Sequence, residues 1–502
     1  MSAVRHHLLR IVGAAGGLLA LGLVLWVGQL WWNSRLPETY NVMDYGTADY
    51  GGGPKPALHT GHVAHGLNGH GTTSLVRLAG PRDATPDARF TLTARRATVR
   101  MASGRTVAAL TFDGRVPGPE LRVRQGDLVE VTLVNVDIAG GVSIHWHGVD
   151  LPNAEDGVSG VTQDAVPPGG RHTYRFRADQ LGTFWYHTHQ SSSSEVRKGL
   201  YGAFVIVPRT REDAPDLDLS LVAHALAGMP ALGIADEPVR RAVPPGSTVR
   251  LRLVNANNTP ERFTLQGTPF RVVAVDGVDL HGPTPLRGAS LRLAAGGRYD
   301  VAFTMPRSPV RLTLVGGKAA MALSPDGTAD VSPVEPGPEF DPAAYGTPAP
   351  TPFGADSRFD RQFRFDIGRK PGFLDGRPGM QWTINGGIYP DVPVFIVRRG
   401  DLVKMTIDND TSSAHPMHLH GHHMLVLSRN GEPVSGSPWW SDTLNLDPGD
   451  RYEVAFRAEN PGLWMDHCHN LHHAAEGLTM HLAYEGVTTP FMVGGAAHNH
   501  PE

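Results

Sequence analysis

Over most of its length the chain alternates between apolar and polar positions, with one exception near its start. Ile11 to Trp32 is an apolar run of 22 residues without a formal charge, preceded by Arg5 and Arg10. Trp26, Trp31 and Trp32 lie toward its end. About 20 apolar residues suffice to cross a bilayer as a helix, and indole rings favour the membrane interface. Residues 1–35 are therefore predicted to hold a transmembrane helix, a single-pass cell-membrane anchor. The basic flank places its N-terminus inside and the rest of the chain on the extracytoplasmic side. The alternative is a cleaved signal and a secreted protein, although the run is long for that purpose and no A-x-A site follows it.

Beyond this run the hydrophobic period is two, and the pattern recurs. Gly126-Asp-Leu-Val-Glu-Val-Thr-Leu-Val-Asn135 returns as Gly246 to Asn255 and again as Gly400 to Asn409. A second alternating element follows each copy, at Arg171 to Ala178, Arg298 to Thr304 and Arg451 to Ala458. Alternation broken by turn residues predicts antiparallel sandwiches, and a threefold repeat predicts three of them. The fold class is thus all-β. Three Greek-key β-sandwich domains span residues 86–210, 211–345 and 346–490, a normal size for domains. The Pro-rich stretch Val334 to Pro352 connects the second to the third. Residues 36–85 contain Tyr50-Gly-Gly-Gly-Pro54 and then His59, His62, His65 and His70. They are expected to form a solvated linker, with a weak metal-gathering role as the alternative. Residues 491–502, with His498-Asn499-His500, are expected to be a disordered tail.

Composition adds constraints. A chain of 502 residues exceeds one hydrophobic core. Gly 59 and Pro 41 fit many turns, and the net charge of −4 gives no reason to expect a nucleic-acid partner. A single cysteine excludes an intrachain disulfide.

The chemistry lies in four short histidine motifs: His145-Trp-His147, His187-Thr-His189, His415-Pro-Met-His418-Leu-His420 and His467-Cys468-His469, the last followed by His473. Side chains i and i+2 of a strand share a face while i+1 points away. Each HxH therefore offers two imidazoles to one side, enough in total for several metal ions. In the last motif the thiolate faces opposite to its histidines, so one strand serves a metal site on each face. Cys468 with His415 and His473 is a His2Cys set, the ligand type of blue-copper electron-transfer sites. The imidazole cluster suits copper and would also accept zinc or iron. The first repeat carries two HxH motifs and the third carries two. The middle repeat has only His224 and His281, which have no ligand spacing and are read as structural. The cluster is therefore expected between domains one and three, with domain two as a spacer.

These motifs, in this order, resemble the three-domain multicopper oxidases, which include laccases, bilirubin oxidases and bacterial copper-resistance oxidases. The resemblance covers roughly residues 86–490. It implies cupredoxin-like domains and four copper ions, one type 1, one type 2 and two type 3. By the same resemblance His415, Cys468 and His473 hold the type 1 ion, and His145 and His418 hold the type 2 ion. His147, His187, His189, His420, His467 and His469 hold the type 3 pair. The implied reaction couples one-electron oxidation of a reductant at the type 1 copper to four-electron reduction of O2 to water.

Two further positions follow from the resemblance. Asp156, nine residues after His147, matches an acid that takes part in proton delivery; as Asp-Gly it also reads as a turn residue. The position after His473 that is acidic in some relatives is Ala474 here, which leaves Asp466 or Glu476 to compensate. The axial type 1 position falls at Leu478, which cannot coordinate; losing that donor favours Cu(I) and raises the potential. Met480 shares a face with Leu478, so a register slip would restore a thioether.

His422, His423 and His472 are set aside because the ligand set is already full, and Trp439-Trp440 reads equally as substrate border or core. The expected reductant is a phenol or aromatic amine, as in laccases. Cuprous ion, in copper detoxification, is the alternative; the 13 methionines form no cluster that would favour it. A non-enzymatic copper storage or delivery protein is the third reading, and the complete His2Cys set argues against it.

Overall fold

A computed structural model describes residues 2–55, 72–210 and 214–502. Among these, strands dominate and assemble into three cupredoxin-like sandwiches preceded by the helix Ser2–Asn33. The first domain packs two four-stranded sheets, the second a six- and a five-stranded sheet, and the third a six- and a seven-stranded sheet.

The repeated sequence element is the central strand of each domain. Leu128–Asn135 lies between Ala88–Arg100, parallel to it, and Arg171–Arg177, antiparallel. Thr248–Asn255 sits in the same way between Leu217–Leu226 and Arg298–Thr304. Leu402–Asn409 sits between Arg361–Leu374 and Arg451–Arg457. The antiparallel partner is in each case the second repeated element. The terminal asparagines of the repeat are buried, and each amide donates to carbonyls of the adjoining loop and of a neighbouring segment. Asn135 reaches Ile138 and Val166, Asn255 reaches Thr259 and Leu293, and Asn409 reaches Ser413 and Leu446. A buried amide must itself find partners, and the same residue meets the same need where the equivalent loop leaves each sheet.

Two expectations about the chain ends are corrected. The segment read as a linker is wound across the third domain. Thr39–Tyr40 pairs with Val493–Gly494, Thr47–Asp49 with Pro393–Val397, and Thr73–Ser74 with Val487–Thr488. Thr47–Asp49 covers the outer strand of the six-stranded sheet, whose backbone groups would otherwise face solvent. His59, His62, His65 and His70 lie outside the described residues. The tail is not disordered either. Asn499 is buried, its Nδ2 donates to Asp164 and Met492, and its Oδ1 accepts from Ala165 N at 2.8 Å. Both misreadings have one cause: these short segments gain their order from distant strands rather than from their own patterning.

The apolar helix meets the third domain near its end, where Trp31 bonds Gly376, while Leu18, Leu19, Leu23, Trp26 and Trp32 are exposed. Gly13–Asn33 is long and apolar enough to cross a membrane.

Candidate metal centre

Strand pairing brings the motifs together in two steps. Within domain one, His145–His147 pairs with Gly182–His187 so that His145 faces His187 across the ladder. Within domain three, His415–Leu419 pairs with Leu463–Cys468 so that His418 faces His467 and Met417 faces Cys468. The domains then dock histidine on histidine. The rings of His145 and His420 stack with centroids 3.9 Å apart, and those of His147 and His418 at 3.7 Å. His189 meets His467 at 5.2 Å and His187 meets His469 at 5.4 Å. The eight imidazoles are buried and converge on one interface.

Each ring is aimed by what holds its other nitrogen. Asp156 accepts from Nδ1 of His145 at 3.1 Å and from Nδ1 of His420 at 3.0 Å. His418 Nδ1 donates to the Asp442 carbonyl, His187 Nδ1 to that of Thr188, and His189 Nδ1 to that of Pro501. Such contacts fix tautomer and ring direction. Several inward nitrogens are left buried with no partner: Nε2 of His187 and His189, Nδ1 of His147 and both nitrogens of His469. Buried polar atoms without partners are rare in folded proteins, and metal ions bound among these rings would satisfy one nitrogen of each. Donor atoms lie within 4.8 Å of one another in the sets His145/His147/His187, His145/His418/His420 and His189/His420/His467. Burial, reinforced by neighbouring histidines, holds His147, His187, His189, His420, His467 and His469 well below the ordinary imidazole value. They are neutral donors, as metal binding requires.

On the opposite face of the same strand Cys468 Sγ lies 3.6 Å from His415 Nδ1 and 3.7 Å from His473 Nδ1. Burial pushes the thiol up and brings His415 down to about 3 and His473 to about 4. An apolar pocket thus disfavours a free thiolate, while a soft cation would take the sulfur as its ligand. The Leu478 carbonyl accepts from Cys468 N at 3.0 Å, and Met480 is paired with Asp466. The register therefore places Leu478, not Met480, beside the thiol. Trp382 packs on both histidines of this site, at 4.9 Å from His415 and 4.6 Å from His473.

Sequence reasoning missed the group that joins the domains. Asp442, of domain three, accepts two hydrogen bonds from Arg298 of domain two, at 2.7 and 2.6 Å. It lies 3.2 Å from His147 Nε2 of domain one and also accepts from Thr443. Burial pushes Asp442 up, but Arg298 and the neighbouring histidines outweigh it and hold the carboxyl well below the carboxylate range. Domain two is thus more than a spacer. Its Gly296, at φ +84°, also lies so close to His147 and His469 that any Cβ there would strike their rings. The signals present, an arginine opening a repeated strand and an aspartate before Thr443, were too ordinary to single out.

The remaining candidates fall into place. His422 bonds Tyr484 at 2.8 Å behind the cluster, and His423 bridges Asp150 and Asp442. His224 bonds the Gly233 carbonyl, and neither it nor His281 joins a metal-binding set. Glu476 accepts from Trp382 Nε1, while Asp466 is buried in the domain core, where burial raises it to about 8. Unforeseen from sequence, Glu502 Oε1 approaches His467 Nδ1 to 3.3 Å without hydrogen-bond alignment.

Known proteins resemble this chain over the same span. Family models described as multicopper oxidase match residues 93–211, 185–312 and 368–486. Laccase-1 of Melanocarpus albomyces is 29% identical over 465 residues, covering 74% of this chain and 74% of its own length. Multicopper oxidase MmcO of Mycobacterium tuberculosis is 28% identical over 440 residues, covering 76% of this chain and 84% of its own. Among solved structures, a multi-copper oxidase from Pseudomonas thermotolerans aligns with TM-score 0.65 and 27% identity over 80% of this chain and all of its own. Fet3p, a multicopper oxidase that functions in iron import, aligns with TM-score 0.68 at 20% identity over 80% of this chain and 91% of its own, a likeness of fold.

Two outcomes follow from this geometry. Arg298→Met leaves Asp442 buried without its cation, and breaking such a pair costs roughly 3–5 kcal/mol. The unfolding midpoint of the copper-loaded protein should fall accordingly; an unchanged midpoint refutes the structural role given to the pair. The second concerns pH. In copper-free protein the buried histidines have folded-state values below the unfolded value of about 6.5. The unfolded chain therefore binds more protons as pH drops, and stability present above about 6.5 is lost on acidification toward the folded values. Thermal melts between pH 8 and 5 should show this slope, and copper should flatten it by competing with protons. Parallel slopes with and without copper would contradict it.

Proposed function

The chain belongs to the multicopper oxidase family, and from that premise we propose that it is a laccase-like oxidase whose reductant is a phenol or aromatic amine. The enzyme is an oxidoreductase and its cofactors are four copper ions. Those ions supply one-electron acceptance at the type 1 position and four-electron reduction of O2 to water at the other three. The observation that carries the reading is the shared strand Leu463–Cys468 with its continuation His469: the thiol serves one donor set and the flanking histidines serve the other.

In this reading His415, Cys468 and His473 hold the type 1 ion. His145 and His418 hold the type 2 ion, and His147, His187, His189, His420, His467 and His469 hold the type 3 pair. The backbone joins Cys468 to His467 and His469 through a few covalent bonds, so this strand would be the short path for electrons between the two donor sets. Asp156 orients His145 and His420 and, as the carboxylate nearest them, passes protons toward the cluster. Burial of all eight imidazoles keeps bulk water from the interface. Leu478, beside Cys468 in the strand register, would offer a type 1 ion hydrocarbon in place of a thioether donor. The helix Gly13–Asn33 anchors the enzyme in a cell membrane with its sandwiches on the extracytoplasmic side.

Oxygen uptake by the full-length, copper-loaded protein tests this, with a phenolic donor and with Cu(I) run separately. Uptake without peroxide, abolished in His467→Ala, is expected, and the phenol should be the better donor. Asp156→Asn should slow turnover by about 10²-fold or more, the usual worth of a positioned acid–base group. No uptake from protein carrying four coppers would overturn the oxidase reading, and a preference for Cu(I) would overturn the substrate. Leu478→Met should restore a weak axial ligand and lower the type 1 potential. A tenfold shift in that one-electron equilibrium is about 59 mV, readable by redox titration of the visible absorption; an unchanged or higher potential refutes the axial assignment.

A further inference from the structure

The membrane helix and the type 1 site are joined by one hairpin. Arg361–Leu374 and Arg377–Ile384 pair antiparallel, with Leu374 facing Arg377 across the two-residue turn Asp375-Gly376. Both turn residues have positive φ, +46° and +73°, as a tight Asp-Gly hairpin turn requires. The residues that end the helix clasp this turn. Trp31 Nε1 donates to the Gly376 carbonyl at 3.0 Å, Gly376 N donates to Ser34 Oγ at 3.1 Å, and Leu36 N donates to Asp375 Oδ1 at 3.2 Å. The contact is close: a Cβ on Gly376 would lie 2.7 Å from Arg35. Six residues along the returning strand stands Trp382, packed on His415 and His473.

This arrangement sets a height above the membrane. The 21 residues Gly13–Asn33 span about 31 Å as a helix, the thickness of a hydrocarbon core. Asn33 then lies at the outer surface, and the hairpin turn that binds Trp31 and Ser34 lies in the headgroup layer. Trp382 follows within about 20 Å at strand rise. The hairpin suits that place. Arg369, Lys370 and Arg377 are exposed on it, as anionic headgroups favour. Met380 is 52% exposed there and adds an apolar side chain to the same face of the molecule's surface.

Between the helix end and the type 1 loop lies a cavity of about 490 Å³, within the range that small-molecule sites occupy. Leu36 and Leu374 line it from the membrane side, and Ala474 and Gly477 line it from the loop that carries His473. Tyr40 and Tyr389, hydrogen-bonded to each other at 3.0 Å, also line it. We propose that this cavity is the docking site for a reductant dissolved in the bilayer, of the long-chain hydroquinone class, which enters between the helix end and the hairpin. The inference rests on the oxidase reading and on the helix being a retained anchor. An apolar body with hydroxyl edges matches the mixed walls. Cuprous ion is matched less well, because beside the imidazoles of His481 and His500 the cavity offers one thioether, Met465, and no thiolate. Each hydroquinone gives up two electrons, one at a time through the type 1 site, together with its two O–H protons. Two hydroquinones and one O2 yield two quinones and two waters, so the four protons released equal the four consumed.

The test uses full-length, copper-loaded enzyme in vesicles of phosphatidylcholine with phosphatidylglycerol. Oxygen uptake is measured with decyl-hydroquinone and with ferrocyanide, a charged donor that cannot enter the bilayer. Leu374→Trp and Leu36→Trp fill the cavity from opposite walls, and retained copper and visible absorption report that each has folded. The ratio of kcat/KM for decyl-hydroquinone to that for ferrocyanide should fall at least tenfold in both. An unchanged ratio in both folded variants overturns the site, as does a mature chain that begins after residue 33. Uptake with ferrocyanide alone overturns this inference but leaves the oxidase reading standing. Uptake with neither donor removes the oxidase reading itself.

Discussion

One buried ion pair holds the arrangement together. Asp442 is fully enclosed, and its oxygens are met by Arg298 from the second domain, by Thr443 and His423 from its own, and by His147 from the first. A carboxylate in that position is tolerated only while its partners are in place. The three sandwiches are thereby tied into one relative orientation, to which Arg122–Asp218 between domains one and two and Arg292–Asp447 between domains two and three also contribute. The rings of His147 and His418 stack because that orientation is fixed, and the other histidine contacts between domains one and three follow from it.

The same enclosure explains why the centre is built from neutral donors. Burial makes His147, His187, His189, His418, His420, His467 and His469 resist a proton, and the unpartnered nitrogens would destabilise an empty interface. Copper ions relieve both problems, so metal binding and domain docking reinforce each other. On the far side of the shared strand the constraint differs. Cys468 is held in an apolar pocket closed by Leu478 and edged by Trp382, where polarity rather than proton competition is the variable that tunes the site.

Much of the centre was legible in the chain because its geometry is local. HxH spacing on a strand puts two donors on one face whatever surrounds the strand, and the lone cysteine between two histidines had to face away from them. The repeats at Gly126, Gly246 and Gly400 announced three equivalent central strands for the same reason. What escaped reading was nonlocal. Thr39–Tyr40 and Thr47–Asp49 carry no strand-like run of their own and are ordered by edges several hundred residues away. Asn499 looked like part of a polar tail, yet its amide completes a set of bonds within domain one and the end of the chain.

The sequence by itself determined which side chains can bind metal, how they group and that three sandwiches carry them, since strand periodicity and ligand chemistry act over a few residues. Only the tertiary structure decided that Arg298 of the ligand-free domain anchors the centre, that Leu478 rather than Met480 lies beside the thiol, and that the end of the apolar helix clasps the hairpin bearing Trp382. Those outcomes depend on register and on contacts between distant segments. Their energies come from desolvated charges and close packing that exist only once the chain has folded.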